Sequence, residues 1–536
     1  MAVLSTPVAD AFVHFDFKVA FVVALIAIVV YTFKQHNDFN KRKGGAKTLP
    51  GPKGAPIIGN LRQIPAVKPW VALKQWGDEF GPLYRLRLGV QEVVVVSSAD
   101  HAIELLDRRS PKYSSRPRQV MANDLLSRGL RLTFMPYHDL WRKERKLIHK
   151  LTSAQASATY EPMQDLESTQ LMIDMLERPK AFWGHCQRYA GSLIMQVAFN
   201  KRANRNTDPA VADMRALLEE LTAAAVPGRH LVDSLPWLNY LPAALAPWKA
   251  TGERIFKNQE KLFYGHMNDV KRDIAAGQDA HCFVKYMLDM QKESGLTDQE
   301  IAFLAGVMYG AGSDTTSDAI ATFIMTMVNH PEQQRLAQEE IDRVVGRDRM
   351  PTFEDQTDLV YVSALVKEVQ RWRPVIAGGL AHATTQDDVY EGYFIPAGTT
   401  IIPNAWAIHM DPKVYPEPEK FKPERFIKDN QVVGIPQSER GHFGFGYGRR
   451  ICPGMYIAER SLYIVFARML WGYNIAHAKD ALGQNIPVDV NAYTTGFSSH
   501  PKKFLCSITP RHKDVETIVR AAAEHHHLPK TSGLAE

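Results

Sequence analysis

The chain has 536 residues, 45% of them hydrophobic and 23% charged, enough to bury a large core. Four cysteines in that length do not make the disulfide framework of a small secreted protein, so the composition fits a reducing compartment. The net charge of +6 is small and spread out, with no basic repeat interleaved with aromatics, which argues against a nucleic-acid partner.

Residues 19–33 form an apolar run broken only by Thr32. A spanning helix needs roughly 20 residues. Residues 11–17 can extend the run, and Lys18 can snorkel to the interface. A cleaved signal peptide would have an apolar stretch of this length too, but no small-x-small site follows Phe33. The sequence turns basic at once, with Lys34, Lys41, Arg42, Lys43 and Lys47, and such charges stay cytosolic. Residues 1–35 are therefore expected to be a single membrane anchor, with the bulk of the chain in the cytosol at the endoplasmic reticulum. Residues 36–60 then form a basic, proline-rich joint, stiffened by Pro50, Pro52 and Pro56.

A short β region is expected at residues 83–98, with Val93 to Val96 as its clearest run, and helices dominate from 99 to about 373. In Trp141-Arg142-Lys143-Glu144-Arg145, Trp141 and Arg145 stand at i and i+4 on one helix face. Thr297 and Glu300 form a capping box that opens a helix running to about Asn329, where His330-Pro331 ends it. Its middle reads Gly310-Ala311-Gly312-Ser313-Asp314-Thr315-Thr316, poor helix formers that should weaken it locally. Glu368 and Arg371 lie at i and i+3, and Pro423-Glu424-Arg425-Phe426 follows. A second β region is expected at 381–385, 389–395 and 399–403, then a last helix at 455–471 and a hairpin to about 509.

Between these lies Phe443-Gly444-Phe445-Gly446-Tyr447-Gly448-Arg449-Arg450-Ile451-Cys452-Pro453-Gly454. It sets one cysteine in a glycine-rich loop, with arginines before it and a helix N-terminus after it. Backbone N–H groups and the helix dipole can hold such a sulfur as thiolate. A lone thiolate suits a single axial bond to haem iron. Zinc needs three or four ligands, and none is spaced for it near Cys452. Cys186, Cys282 and Cys506 have no such setting and read as inert.

The order Phe445, Gly448, Arg450, Cys452, Gly454 resembles the haem-binding loop of the cytochrome P450 family, the haem-thiolate monooxygenases. The likeness covers roughly residues 50–510. It implies a mainly α prism fold with small β-sheets, plus the N-terminal transmembrane helix. Residues 61–510 would be the catalytic domain and 511–536, with its run of histidines, a disordered tail. The resemblance implies haem b (iron protoporphyrin IX) with Cys452 as axial ligand and Phe445 beside it. Trp141, Arg145, Arg450 and His382 would meet the haem propionates. Asp314 and Thr315 would be the acid–alcohol pair that guides protons to dioxygen, while Gly310, Ala311 and Gly312 keep that helix face open over the haem. Glu368, Arg371 and Arg425 would form a buried structural triad, and the proline-rich joint the hinge of microsomal members.

By the same likeness the chain inserts one oxygen atom from O2 into a lipophilic small molecule. Its pocket would draw on residues 116–135, 217–245, 303–311, 375–380 and 494–497, with Phe134, Trp237 and Phe497 among the aromatics. No flavin or nicotinamide motif is present, so NADPH would act through a separate membrane-bound NADPH–cytochrome P450 reductase, with cytochrome b5 as a further electron donor. Arg142, Lys143, Lys146, Lys150 and Arg449 would offer the docking face, unless they are simply a solvated face. The loop and the C-terminal segments 473–475 and 495–497 resemble fungal members that tailor secondary metabolites. Two other readings stand beside this one: a same-fold desaturase, isomerase or dehydratase, and a non-catalytic membrane-anchored haem- or lipid-binding protein.

Overall fold

The structure, a computed structural model, describes residues 34, 37–56, 58–89, 91–225 and 229–528. The apolar run at 19–33 lies outside them. Among the described residues no helix is long and apolar enough to cross a membrane.

Helix α1 (Pro69–Phe80) leads into the antiparallel pair β1 (Leu83–Leu88) and β2 (Gln91–Val96). After a long irregular stretch come α2 (Asp139–Thr152), α3 (Glu161–Glu177), α4 (Phe182–Phe199), α5 (Pro209–Ala224) and α6 (Pro247–Ala275). The central helix α7 (Asp298–Asn329) is followed by α8 (Pro331–Val344) and α9 (Val360–Trp372). Proline opens α1, α5, α6 and α8, because a first-turn N–H has no helical partner to lose. The strands β3 (His382–Ala383), β4 (Asp388–Tyr390), β5 (Tyr393–Ile395) and β6 (Thr400–Pro403) come next. The chain closes with β7 (Ile427–Lys428), β8 (Gln431–Val432), α10 (Met455–Gly472), β9 (Tyr473–His477), β10 (Cys506–Pro510) and α11 (Val515–His525).

The main sheet has the order β1-β2-β6-β3, with β2 parallel to β6 and the other pairs antiparallel. Its β2 carries Val93 to Val96, all buried, as expected of a strand covered on both faces. The capping box of α7 forms as its spacing predicts: Thr297 Oγ1 accepts from the Glu300 N–H, and Glu300 accepts from the Thr297 N–H. The helix runs unbroken for 32 residues, about 48 Å, through its glycines and threonines. It packs along α4 and against α6 and α10, where Phe323 and Phe466 stack with centroids 3.9 Å apart.

One expectation is overturned here. Residues 515–525 are not a disordered tail but α11, which packs on α3 and buries Val515, Val519 and Ala523. These stand at i, i+4 and i+8, so one apolar stripe finds a partner. His526 Nε2 lies 2.7 Å from Asp165 Oδ2, so one of the tail histidines is docked as well.

Candidate functional site

The cysteine loop is held from several sides. Cys452 N–H donates to the Phe445 carbonyl at 2.8 Å, and Arg145 donates to the Ile451 carbonyl at 2.7 Å. Gly446 and Gly448 adopt φ of 78° and 51°, where a side chain is strained. The Gly448 N–H donates to Asp107, in a widened helical turn at Ile103–Arg108. Phe445 is half-buried, its ring 5.5 Å from that of His442. Cys452 itself is half-buried at the start of α10. Burial pushes its thiol up more strongly than the Gly454 N–H and the nearby Arg145 pull it down. A metal cation bound at the sulfur would offset that burial, since a coordinating thiol is deprotonated outright. Cys186, Cys282 and Cys506 are all pushed up by burial, as inert thiols are.

Around this loop the protein gathers positive charge without compensating it. Arg450 is buried and donates to the carbonyls of Ser114, Leu132 and Met135, its guanidinium 4.2 Å over the Trp141 ring. Burial, Arg116 and Arg145 push it down to about 8. Arg116, whose carbonyl partners are Thr133, Leu380 and Ala381, is pushed down to about 10 by burial. Among the described residues none of Arg116, Arg145 and Arg450 pairs with a carboxylate. Buried cations without anions are costly, so the cluster is built for an anionic group from outside the chain. Arg116 was read from the sequence only as a pocket boundary, because its partners lie far along the chain.

His382 is buried at the start of β3. Its Nδ1 sits 2.8 Å from the Tyr113 carbonyl and so carries the proton. Burial, then Arg116, holds the ring well below its ordinary range and therefore neutral.

In α7, residues 301–309 and 316–328 are buried, and the accessible break between them centres on Ala311, the one exposed residue. The glycines beside it seat side chains of the neighbouring helices. A β carbon on Gly312 would lie 2.9 Å from Ile194, and one on Gly310 2.7 Å from Leu218. Their missing side chains let α4 and α5 approach, while Ala311 forms the opening. Thr315 Oγ1 donates to the Ala311 carbonyl at 2.7 Å, and Asp314 lies next to it, 3.5 Å from the Ser313 hydroxyl. Burial pushes the Asp314 carboxyl up, against the Ser313 hydroxyl. Phe134 and Phe497 meet edge to face at 6.0 Å, with Phe497 41% exposed, while Trp237 is 61% exposed.

The buried triad that the resemblance implied is assembled. Arg371 donates through Nε and Nη2 to both oxygens of Glu368, at 2.7 and 2.8 Å, with both side chains fully buried. Arg425 Nε donates to Glu368 Oε1 at 3.1 Å, and the Lys422 N–H donates to the same oxygen at 2.8 Å.

A model of the cytochrome P450 family matches residues 49–505, most of the chain. This chain belongs to the cytochrome P450 family. A cytochrome P450 monooxygenase of Armillaria gallica is 38% identical over 508 residues, covering 94% of this chain and 96% of the relative. Cytochrome P450 monooxygenase 58 of Postia placenta is 38% identical over 474 residues, covering 88% and 90%. Cytochrome P450 monooxygenase virE of Hypocrea virens is 37% identical over 494 residues, covering 91% and 89%. The chain is thus a fungal-type P450 and an oxidoreductase of the monooxygenase class, whose cofactor is haem and whose co-substrate is O2.

The residues present fit haem. Cys452 is the available axial ligand, and the uncompensated Arg116, Arg145 and Arg450 suit two propionates. When bound, haem supplies the activation of dioxygen, which a thiolate ligand favours.

Proposed function

We propose that this P450 hydroxylates a lipophilic small molecule of fungal secondary metabolism, from a single-pass anchor in the endoplasmic reticulum membrane. Electrons would come from NADPH through a separate reductase, with cytochrome b5 as a further donor. The observation that carries the oxygenase reading is the break in burial of α7: one exposed alanine, with Asp314 and Thr315 just after it, in an otherwise buried helix. Such an opening gives substrate and dioxygen a place beside a carboxyl and a hydroxyl that can pass protons. The Phe134–Phe497 pair supports a lipophilic ligand. Exposed Arg142, Lys143, Lys146, Lys150 and Arg449, close in sequence to Arg145 and Cys452, support an acidic electron donor on that side. Arg142 is partly engaged by Asp139, which leaves the other cations for docking.

The intact Asp314-Thr315 sequence favours oxygen chemistry over an isomerase or a haem carrier. Expression with a reductase, NADPH and candidate fungal metabolites, followed by mass spectrometry for a gain of one oxygen, tests the proposal. Thr315→Ala should keep the haem spectrum and lose coupling of NADPH use to product. Unchanged coupling would remove that residue from proton delivery. Release of the chain from membranes by carbonate would count against the anchor.

A further inference from the structure

Seven acids are among the buried residues of the described chain, and most are matched to a cation. Glu167 and Asp174 pair with Arg188, Asp355 with Arg349, Glu368 with Arg371, and Asp388 with Arg109 and Lys112. Asp318 on α7 has no such partner, and its Oδ2 accepts no hydrogen bond from the protein. It lies one turn after Asp314, on the same helix face. The loop before β10 covers this face: the Ser498 hydroxyl sits beside Asp318, and His500 lies near both carboxyls. His500 is half-buried, its ring edge-on to Trp183 at 5.8 Å. Its Nδ1 donates to the Pro501 carbonyl at 2.9 Å, which leaves Nε2 free of that bond.

We propose that Asp318 and His500 extend the proton route beyond the Asp314–Thr315 pair, carrying protons from outside α7 to Asp314. The inference rests on the oxygenase reading above and adds two relay residues to it. A structural carboxylate this deeply buried would need a cation or full hydrogen bonding, and Asp318 has neither. A relay needs the opposite, a group free to take and release a proton, with an affinity close to its neighbour's. Burial, set against His500 and Ser498, pushes Asp318 up to about 6, so it can take and release a proton near neutral pH. The other groups facing the pair are Glu219 and Arg215 of α5, Tyr309 of α7 and Tyr493, whose hydroxyl lies 3.4 Å from that of Thr322.

The transfer balances. His500 would gain a proton at Nε2 from solvent and hand it through a bridging water to Asp318 Oδ2, which no protein group reaches directly. Asp318 passes a proton to the Asp314 carboxylate, and Asp314 passes one toward the opening through the Thr315 hydroxyl. Each group ends as it began, one proton has moved inward, and no electron has.

The test uses the holoprotein with reductase and NADPH, without organic substrate, and follows NADPH oxidation against pH in light and heavy water. Asp318→Asn should slow oxidation about tenfold, raise the solvent isotope effect and remove an inflection near pH 6. His500→Gln should act in the same direction, and Asp318→Glu should recover most of the rate. Infrared titration of the same proteins supplies a readout apart from turnover: a protonated-carboxyl band that titrates near pH 6 and is missing in Asp318→Asn. Unchanged rate and isotope effect in both Asp318→Asn and His500→Gln would overturn the proposal, as would survival of that band in Asp318→Asn. If Asp318→Asn fails to fold, His500→Gln decides alone. Loss of the red-shifted Soret band of the reduced, carbon-monoxide-treated parent would instead strike the oxygenase reading, so the two failures are distinct.

Discussion

Gly448 and Leu106 meet backbone to backbone: a β carbon on Gly448 would lie 2.1 Å from the Leu106 carbonyl oxygen. The widened turn at Ile103–Arg108 presents that carbonyl, and the neighbouring Asp107 takes the Gly448 N–H. The cysteine loop is thus seated on a segment far from it in sequence.

Gly448→Ala should therefore cost about 2–4 kcal/mol, combining left-handed strain with overpacking against backbone that cannot move aside. Gly446→Ala makes the control. Gly446 also has positive φ, but nothing lies within 4 Å of its β position, so strain alone applies, about 1–2 kcal/mol. The ratio of haem to protein absorbance should fall sharply in the first variant and mildly in the second. Equal haem content in both would show that the contact with Leu106 is dispensable.

The contrast shows what could be read from the sequence. The cysteine loop, the capping box and the Glu368–Arg371 pair rest on short spacings, and the chain carries them openly. Arg116 and Asp107 could not be read that way, since their partners at Leu380, Ala381 and Gly448 are joined only by folding. Gly310 and Gly312 were legible as unusual, but not as the seats of Leu218 and Ile194. The stripe Val515, Val519, Ala523 was present in a short segment before a histidine run, and only its packing on α3 gives it meaning. Nor does any local pattern reveal that His382 Nδ1 meets the Tyr113 carbonyl.

Glu368 and Arg371 form a fully buried pair whose remaining bonds are also filled. Arg371 Nη1 donates to the carbonyls of His409 and Pro418, both at 2.9 Å. Truncating either partner strands a buried charge, and Glu368→Ala or Arg371→Ala should each cost about 3–5 kcal/mol. Arg371→Lys should recover little, because an ammonium cannot span both carboxylate oxygens and two carbonyls. Denaturant unfolding with haem quantitation checks this. A variant with parental stability and a normal haem spectrum would assign the pair no structural part.

The docked C-terminal helix makes its own prediction. Val519 is fully buried against α3, and Val519→Asp would place an unpaired carboxylate there. The loss should be about 3 kcal/mol or more, from the lost burial and the desolvated charge. Removing residues 511–536 should also lower the melting temperature, since it deletes the Arg511–Asp342 and His526–Asp165 pairs as well. A truncated chain that melts with the parent would mean that α11 contributes nothing to the fold.

Glu144 gives the opposite sign. It is fully buried on α2, and neither carboxylate oxygen has a hydrogen-bond partner. Burial, with Glu300 adding to it, raises its proton affinity well above the ordinary carboxyl range. The folded state therefore keeps a proton that the unfolded chain releases above about pH 4.5. Stability contributed at this position must fall as pH rises from there toward the folded-state value. Glu144→Met fills the space without a polar group and should remove that slope. We expect the variant to match the parent near pH 4.5 and to exceed it by about 1–3 kcal/mol at pH 8. Denaturant midpoints at the two pH values measure the difference, and parallel pH profiles for the two proteins would show that the Glu144 charge is satisfied after all.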